Sequence, residues 1–86
     1  MSQPYIRSFS TAQVARSARS LAAYLGFQCS FRVRPGSFVV ACASPSHATV
    51  LASYFEDPAY TSGPVRLMLR RASYIITSNF IHVQCR

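Results

Sequence analysis

Two runs of alternating apolar residues, separated by Pro35-Gly36, dominate residues 27–43. A Pro-Gly break between two β-prone runs is typical of a β-hairpin, and either a two-residue turn or a four-residue loop over 34–37 gives the same register. A one-residue slip would mix apolar and polar side chains on each face, so the alternation predicts the register as well as the strands. One wholly apolar face is expected, made of Cys29, Phe31, Val33, Phe38, Val40 and Cys42.

Apolar residues at helical spacing predict one helix before this hairpin and one after it. The first covers about 12–25 and stops at Gly26, a residue that suits a helix C-terminus. The second begins at Ser44-Pro45, with Ser as N-cap and Pro in the first helical position, and runs to about Phe55. The buried stripes are expected to be Val14, Ala18, Leu21 and Leu25 in the first helix, and Ala48, Leu51, Ala52 and Phe55 in the second.

The remaining predicted strands lie near the two ends of the chain. Residues 5–9 are short, aromatic and β-branched, which favours a first strand. Residues 65–71 fit both an alternating strand and a helical stripe; we favour a strand, because the second helix needs a strand to return to. Residues 74–84 are rich in β-branched and aromatic residues and predict at least one more strand, with a bend or turn at Ser78-Asn79.

The predicted order is therefore β-α-β-β-α-β with an extra C-terminal strand. This is the ferredoxin-like order with one addition, in a single small α+β domain over residues 1–86. Two helices would pack on the apolar face of an antiparallel sheet. The other face of the sheet is left for solvent or for a partner.

Charge adds a functional expectation to this fold. The chain has nine basic residues, all Arg, and two acidic residues, for a formal net charge of +7. Such a basic domain is expected to bind polyanions, such as nucleic acid, an acidic protein surface or anionic lipid. The use of Arg without Lys reflects either bidentate recognition of phosphate and carboxylate or the codon bias of a GC-rich genome. Codon bias does not explain why Asp and Glu are so scarce.

The outward face of the predicted sheet is the candidate binding site. Arg side chains would point outward from the hairpin and from the 65–71 strand. The 5–9 strand would add another if Ile6 faces the core. A sheet face that mixes Arg with aromatic residues can neutralise phosphates and stack bases. The alternative is that these Arg residues only form a solvated face and the first-strand aromatics belong to the core. The predicted partner-binding residues are Tyr5, Arg7, Arg32, Arg34, Arg66 and Arg70.

The inventory of reactive side chains is small. His47, His82, Glu56, Asp57 and three cysteines are the whole set available for acid–base or metal chemistry. The chain has no HExxH motif, Gly-rich phosphate loop or nucleophile elbow. We therefore expect a protein that is not an enzyme, with no cofactor and no metal site.

The cysteines are odd in number and none lies in a CxxC pair, which argues against a disulfide framework or a zinc site. Cys29 and Cys42 face each other in the predicted register. They could act as a pair, in a disulfide, a metal site or a redox reaction. The alternative is that both stay reduced and pack as small hydrophobic side chains. Cys85 is expected to be exposed. The longest apolar run, 38–43, is too short to cross a bilayer and the N-terminus lacks a signal-peptide layout, so we expect a cytoplasmic protein with no membrane partner.

Two non-catalytic functions follow from these observations. The first is a binder of nucleic acid or nucleoprotein; if five Arg contact phosphates, its affinity would fall with salt at a log–log slope of about 4 to 5. The second is an inhibitor or adaptor that docks on an acidic protein groove. In general character, though in no residue motif, a short chain of this kind is similar to the inhibitors that phages carry against host defences, including anti-CRISPR proteins. An edge strand would also allow a homodimer.

Overall fold

The computed structural model describes residues 11–55, 57 and 72–85. Over this part of the chain the elements are α1 (Thr11–Tyr24), β1 (Cys29–Arg34), β2 (Ser37–Cys42), α2 (Pro45–Tyr54), β3 (Ser73–Thr77) and β4 (Phe80–Gln84). The four strands form one antiparallel sheet in the order β1-β2-β4-β3. The predicted α+β class, with an antiparallel sheet and two helices, is confirmed.

Helix α1 forms where the sequence places an apolar residue on one side at every turn. It ends at Gly26, whose φ of +79° is a conformation that glycine adopts without strain. The Gly26 N–H donates to the carbonyl of Ala23 at 3.1 Å and the Phe27 N–H donates to that of Ala22 at 2.9 Å. This pair of bonds is a Schellman motif, which satisfies the last carbonyls of the helix. The residues that α1 buries are Val14, Ala15, Ala18, Leu21 and Ala22.

The first hairpin has the predicted register. β1 and β2 pair without a gap from Cys29–Cys42 to Arg34–Ser37, around a two-residue turn. Gly36 has a φ of +86°, so the second turn position favours glycine. The predicted apolar face is the core face: Phe38, Val40 and Cys42 on β2 are buried, whereas the edge strand β1 leaves Cys29 and Phe31 half-buried and Val33 exposed.

Helix α2 begins with the predicted cap. The Ser44 hydroxyl accepts a hydrogen bond from the His47 N–H at 3.2 Å, and Pro45 is the first helical residue. Since the first turn of a helix has no internal partners for its N–H groups, this bond stabilises the start of α2. The buried positions are Ala48, Leu51 and, at the C-terminal end, Phe55.

A second hairpin, β3–β4, occupies residues 73–84 and turns at Ser78-Asn79, where the sequence predicted a bend or turn. Asn79 joins this turn to the end of β2 by two bonds. Its carbonyl accepts from the Cys42 N–H at 2.8 Å, and its side-chain Nδ2 donates to the Cys42 carbonyl at 2.6 Å. These bonds fix the second hairpin in position beside the first.

The ferredoxin-like strand order is not confirmed. In that order the first strand of the chain lies beside the second strand of the hairpin, whereas here β4 pairs with β2. The pairing brings Ile81 and Val83 of β4 opposite Val40 and Phe38, and it buries both β4 side chains almost completely. The predicted strands over 5–9 and 65–71 lie outside the described residues.

Both helices lie on the same side of the sheet. α1 packs on β1 and β2, and α2 packs on β2, β3 and β4. No described element packs on the other side, which we call the open face. No helix within the described residues is long and apolar enough to cross a membrane. The open face consists of three side chains from each strand: Ser30, Arg32, Arg34, Ser37, Val39, Ala41, Ser73, Ile75, Thr77, Phe80, His82 and Gln84.

Candidate polyanion-binding face

The register of the sheet arranges the open face in rows that run across all four strands. The middle row is Arg32–Val39–His82–Ile75. This row begins with a cation, Arg32, on one edge strand and ends with an exposed apolar residue, Ile75, on the other. Val39 and His82 lie between them on the two central strands. The flanking rows are Arg34–Ser37–Gln84–Ser73 and Ser30–Ala41–Phe80–Thr77, and neither contains an acidic residue.

Arg32 and Arg34 supply the positive charge of this face. Both are exposed and both lie on edge strand β1, two residues apart, because alternate residues of a strand point to the same side. Neither guanidinium contacts a carboxylate within the described residues. Asp57, the acidic residue that the structure describes, lies just beyond α2 and not on the open face. As far as the described residues go, the charge of β1 is therefore available to an anion.

Phe80 and His82 supply rings at the centre of the same face. They are neighbours on the central strand β4, with ring centroids 6.3 Å apart and a 44° angle between the ring planes. The Thr77 hydroxyl and His82 Nε2 are 2.9 Å apart and form a hydrogen bond, which orients the imidazole. Phe80 is 40% exposed although it lies on a central strand. The two rings thus present π surfaces to solvent.

Phe80 and His82 are not among the binding residues predicted from the sequence. The pattern within 74–84 predicts a strand, and the prediction did not extend to which of its residues point outward. The signal was present: Ile81 and Val83 are the apolar alternates that fill the core, which leaves Phe80 and His82 for the other face. This alternation indicates a site only once the strands β3 and β4 are known to be separate and β4 is known to pair with β2.

Side chains of this face line two adjoining grooves. The larger, of about 610 Å³, lies between the Arg-bearing edge and β4, and Val39 and Ala41 form an apolar floor between Arg32 and the two rings. The smaller, of about 200 Å³, adjoins it on the far side of His82, next to Ile75. A flat ring placed over this floor would contact aromatic and aliphatic surface, while an attached anion could reach the Arg edge.

The structure describes two of the six predicted partner-binding residues. Arg32 and Arg34 both lie on the open face, as predicted. Tyr5, Arg7, Arg66 and Arg70 lie outside the described residues and remain predictions.

Two further Arg residues lie on α1, on the helix side of the sheet. The guanidinium carbon of Arg19 is 5.1 Å from the centroid of the Phe31 ring, a cation–π contact that covers the edge of the core. Arg16 is exposed on the same helix. Since α1 packs on the opposite side of the sheet from the open face, Arg16 can serve as a control for Arg32: its substitution removes the same charge from a different surface.

The reactive side chains of the described residues do not form a cluster. No group of three His, Cys, Asp or Glu residues comes together within them. The His47 ring stacks on Phe27, with centroids 4.3 Å apart and a 10° angle between the planes, and its Nδ1 is buried without a hydrogen-bond partner. This imidazole therefore packs against the core. Cys85, expected to be exposed, is half-buried, and burial raises the pKa of its thiol.

Comparisons of the chain with protein-family models, with curated proteins and with solved structures gave no match. The function proposed below therefore rests on the chemistry of the open face.

Proposed function

We propose that this protein binds a polyanionic partner through the open face, without catalysis, and that the preferred partner is single-stranded nucleic acid. One observation carries the proposal: the described side chains of the open face include no acidic residue, and they place two exposed Arg residues on the same face as two exposed rings, with one strand between them. Arg binds phosphate bidentately, and rings of this kind stack on bases. Arg7, Arg66 and Arg70 would extend the same charged surface.

The spacing of the strands suits a nucleotide. Neighbouring strands lie 4.7–4.9 Å apart, so β1 and β4, with β2 between them, are separated by roughly 10 Å. A base stacked on Phe80 or His82 would leave its phosphate within reach of the long side chain of Arg32. Single strands expose the faces of their bases, whereas a duplex keeps them stacked inside, so this face favours single strands over duplexes.

The test is a fluorescence-anisotropy titration with labelled single- and double-stranded oligonucleotides of DNA and RNA, at about 50 and 200 mM salt. We expect tighter binding to single strands and a loss of affinity as salt rises. The Arg32→Ala/Arg34→Ala variant should reduce the log–log salt slope by about 1.4, since each phosphate contact on a single strand contributes about 0.7. The Arg16→Ala variant, which removes a charge from α1, should keep both affinity and slope.

Substitution of a ring separates stacking from charge. Phe80→Ala should weaken binding by about 1–3 kcal/mol, the value of one base–aromatic stack, and should leave the salt slope unchanged. Circular dichroism of each variant checks that the fold is retained. Equal losses in Arg16→Ala and in the double variant would contradict the proposal, as would the absence of binding to single strands at low salt.

A protein partner is the second candidate, favoured by the apolar part of the same face. Ile75 is 62% exposed on edge strand β3, next to His82, and exposed apolar surface of this kind is more suited to a protein groove than to a phosphate backbone. Under this alternative the protein is a small inhibitor, of the kind that phages direct against host defence complexes, and Arg32 and Arg34 face acidic residues of the target.

The two candidates differ in what Ile75 contributes. Light scattering on a purified nucleic-acid-processing complex mixed with the protein would detect a defined 1:1 assembly. If the protein partner is correct, Ile75→Ser abolishes that assembly and the free protein shows no affinity for oligonucleotides. If nucleic acid is the partner, Ile75→Ser has little effect on the anisotropy titration.

A further inference from the structure

We propose that Cys29 and Cys42 form a reversible disulfide across β1 and β2, by exchange with a small disulfide such as oxidised glutathione. The proposal is independent of the polyanion-binding function, because the pair lies on the core face of the sheet. It concerns a modification of the hairpin that carries Arg32 and Arg34.

The two thiols are already in contact. Cys29 and Cys42 are register partners in the hairpin, and the Cys29 thiol donates to Cys42 Sγ at 3.5 Å. Bond formation thus requires the sulfur atoms to approach by roughly 1.5 Å, since a disulfide bond is about 2.05 Å long.

The backbone around the pair has the spacing that a disulfide needs. Both backbone polar groups of Cys42 are bonded to Asn79, on the side of β2 away from β1. Cys29 and Cys42 are therefore a non-hydrogen-bonded pair of the β1–β2 ladder, the kind in which opposed Cα atoms are about 4.5 Å apart. Disulfides form at Cα separations of about 4.4–6.8 Å, a range that includes the typical spacing of such a pair, so rotation of the side chains should bring the sulfur atoms together.

Access to the two thiols is unequal. Cys42 is 4% exposed, whereas Cys29 is half-buried on an edge strand. Desolvation and the adjacent Cys29 thiol raise the pKa of Cys42 to about 12, so Cys42 keeps its proton at neutral pH and is a poor attacking group. An external disulfide would therefore react first at Cys29.

The exchange is a balanced two-electron step. The Cys29 thiolate, formed by loss of its proton, attacks one sulfur of oxidised glutathione, and a mixed disulfide forms as the first glutathione thiolate leaves. Cys42 is already in contact with Cys29 Sγ, so it attacks that sulfur as its proton passes to the departing thiolate, and the second glutathione is displaced. Two protein thiols are oxidised, one glutathione disulfide is reduced to two thiols, and the two protons pass to the departing thiolates or to solvent.

The third cysteine provides an internal reference. The Cys85 N–H donates to the carbonyl of Gly36, at the turn of the hairpin, and the Cys29–Cys42 pair lies at the opposite end of β1 and β2. Cys85 is therefore separated from both paired thiols by the length of the hairpin. Within one molecule it should stay a free thiol.

The test uses the full chain, equilibrated in glutathione buffers from fully reduced to fully oxidised and then quenched with N-ethylmaleimide. Reduced protein should take up three labels, one per cysteine. Oxidised protein should take up one label, on Cys85, with no glutathione attached. Trypsin cleaves after Arg32 and so separates Cys29 from Cys42, which makes the cross-linked peptide identifiable by mass. The melting temperature should rise by roughly 10 °C on oxidation and return with dithiothreitol.

Variants sharpen the assignment. Cys85→Ser should oxidise in the same buffers as the wild type and leave no labelled thiol. Cys29→Ser should keep two labelled thiols in every buffer. Three labelled thiols in the most oxidising buffer, a stable glutathione adduct on Cys29, or a cross-link that includes Cys85 would each overturn the proposal. Because the cross-link is mapped in the wild-type protein, the result does not depend on whether a variant folds.

Discussion

At Cys42, burial controls the chemistry of the side chain. The thiol is 4% exposed on the core face of β2, where it accepts a hydrogen bond from the Cys29 thiol. Desolvation, with smaller contributions from the hydrogen bond and the charge of Cys29, raises its pKa from 9.0 to about 12. Burial disfavours the charged thiolate relative to the neutral thiol.

This shift predicts an alkaline loss of stability. The pKa of Cys42 is higher in the folded protein than in the unfolded chain. The contribution of the protonated thiol to the free energy of unfolding is therefore fully present below about pH 9, and it is lost as the pH rises toward the folded pKa. The free energy of unfolding of the reduced protein should fall by up to about 1.4 kcal/mol per pH unit in this window. Urea titrations between about pH 8 and pH 10.5 would measure the slope.

The matched variant is Cys42→Ala, which lowers stability at every pH through its cavity but removes the titrating thiol. Tyrosine ionisation should affect both proteins equally. The difference between their slopes of unfolding free energy against pH therefore gives the contribution of the Cys42 thiol. Identical slopes for the wild type and the variant would contradict the assignment.

The elements show how far local pattern determines this fold. Alternation about Pro35-Gly36 predicted the whole β1–β2 register, because a one-residue slip would expose Phe38 and Val40. The Ser44-Pro45 start of α2 and the Gly26 stop of α1 were predicted as well, because capping depends on a few adjacent residues.

The predicted pairing between distant strands, that of the ferredoxin-like order, is not confirmed. The placement of β4 beside β2 depends on competition among strands that are far apart in sequence, and periodicity within one strand says nothing about it. For the same reason only the Arg32 and Arg34 part of the candidate site was predicted. Phe80 and His82 join that site only when β4 becomes a central strand.

The hairpin turn gives a prediction at this scale. Gly36 has a φ of +86°, and an added Cβ would meet no described atom within 4 Å apart from its chain neighbours, so the expected cost of Gly36→Ala is one of backbone conformation. We expect a loss of about 1–2 kcal/mol in the free energy of unfolding. Gly36→Asn should lose clearly less, because Asn enters the left-handed region more readily. Chemical denaturation of both variants would test this, and equal losses would contradict a conformational cause.

At the scale of the molecule, a strongly basic chain folds, over its described residues, into a layer of helices on a sheet. The net charge is +7, and the helices cover one face of the sheet while no described element covers the other. Arg16 and Arg19 lie on the helix layer, whereas Arg32 and Arg34 lie on the open face beside exposed rings. Long-range attraction acts through all of these charges, and the open face adds two neighbouring rings, Phe80 and His82, on which bases can stack. The partner should therefore be oriented by the open face.

Amide chemical-shift mapping with a short single-stranded oligonucleotide tests this claim most directly. The ¹H–¹⁵N spectrum of the full chain would be recorded as the oligonucleotide is added at low salt. We predict that the largest changes cluster on the open face, at Arg32, Val39, Phe80 and His82, and that residues of α1 around Arg16 change little. Changes centred on α1, or spread evenly over every Arg, would contradict the account, and so would an unchanged spectrum.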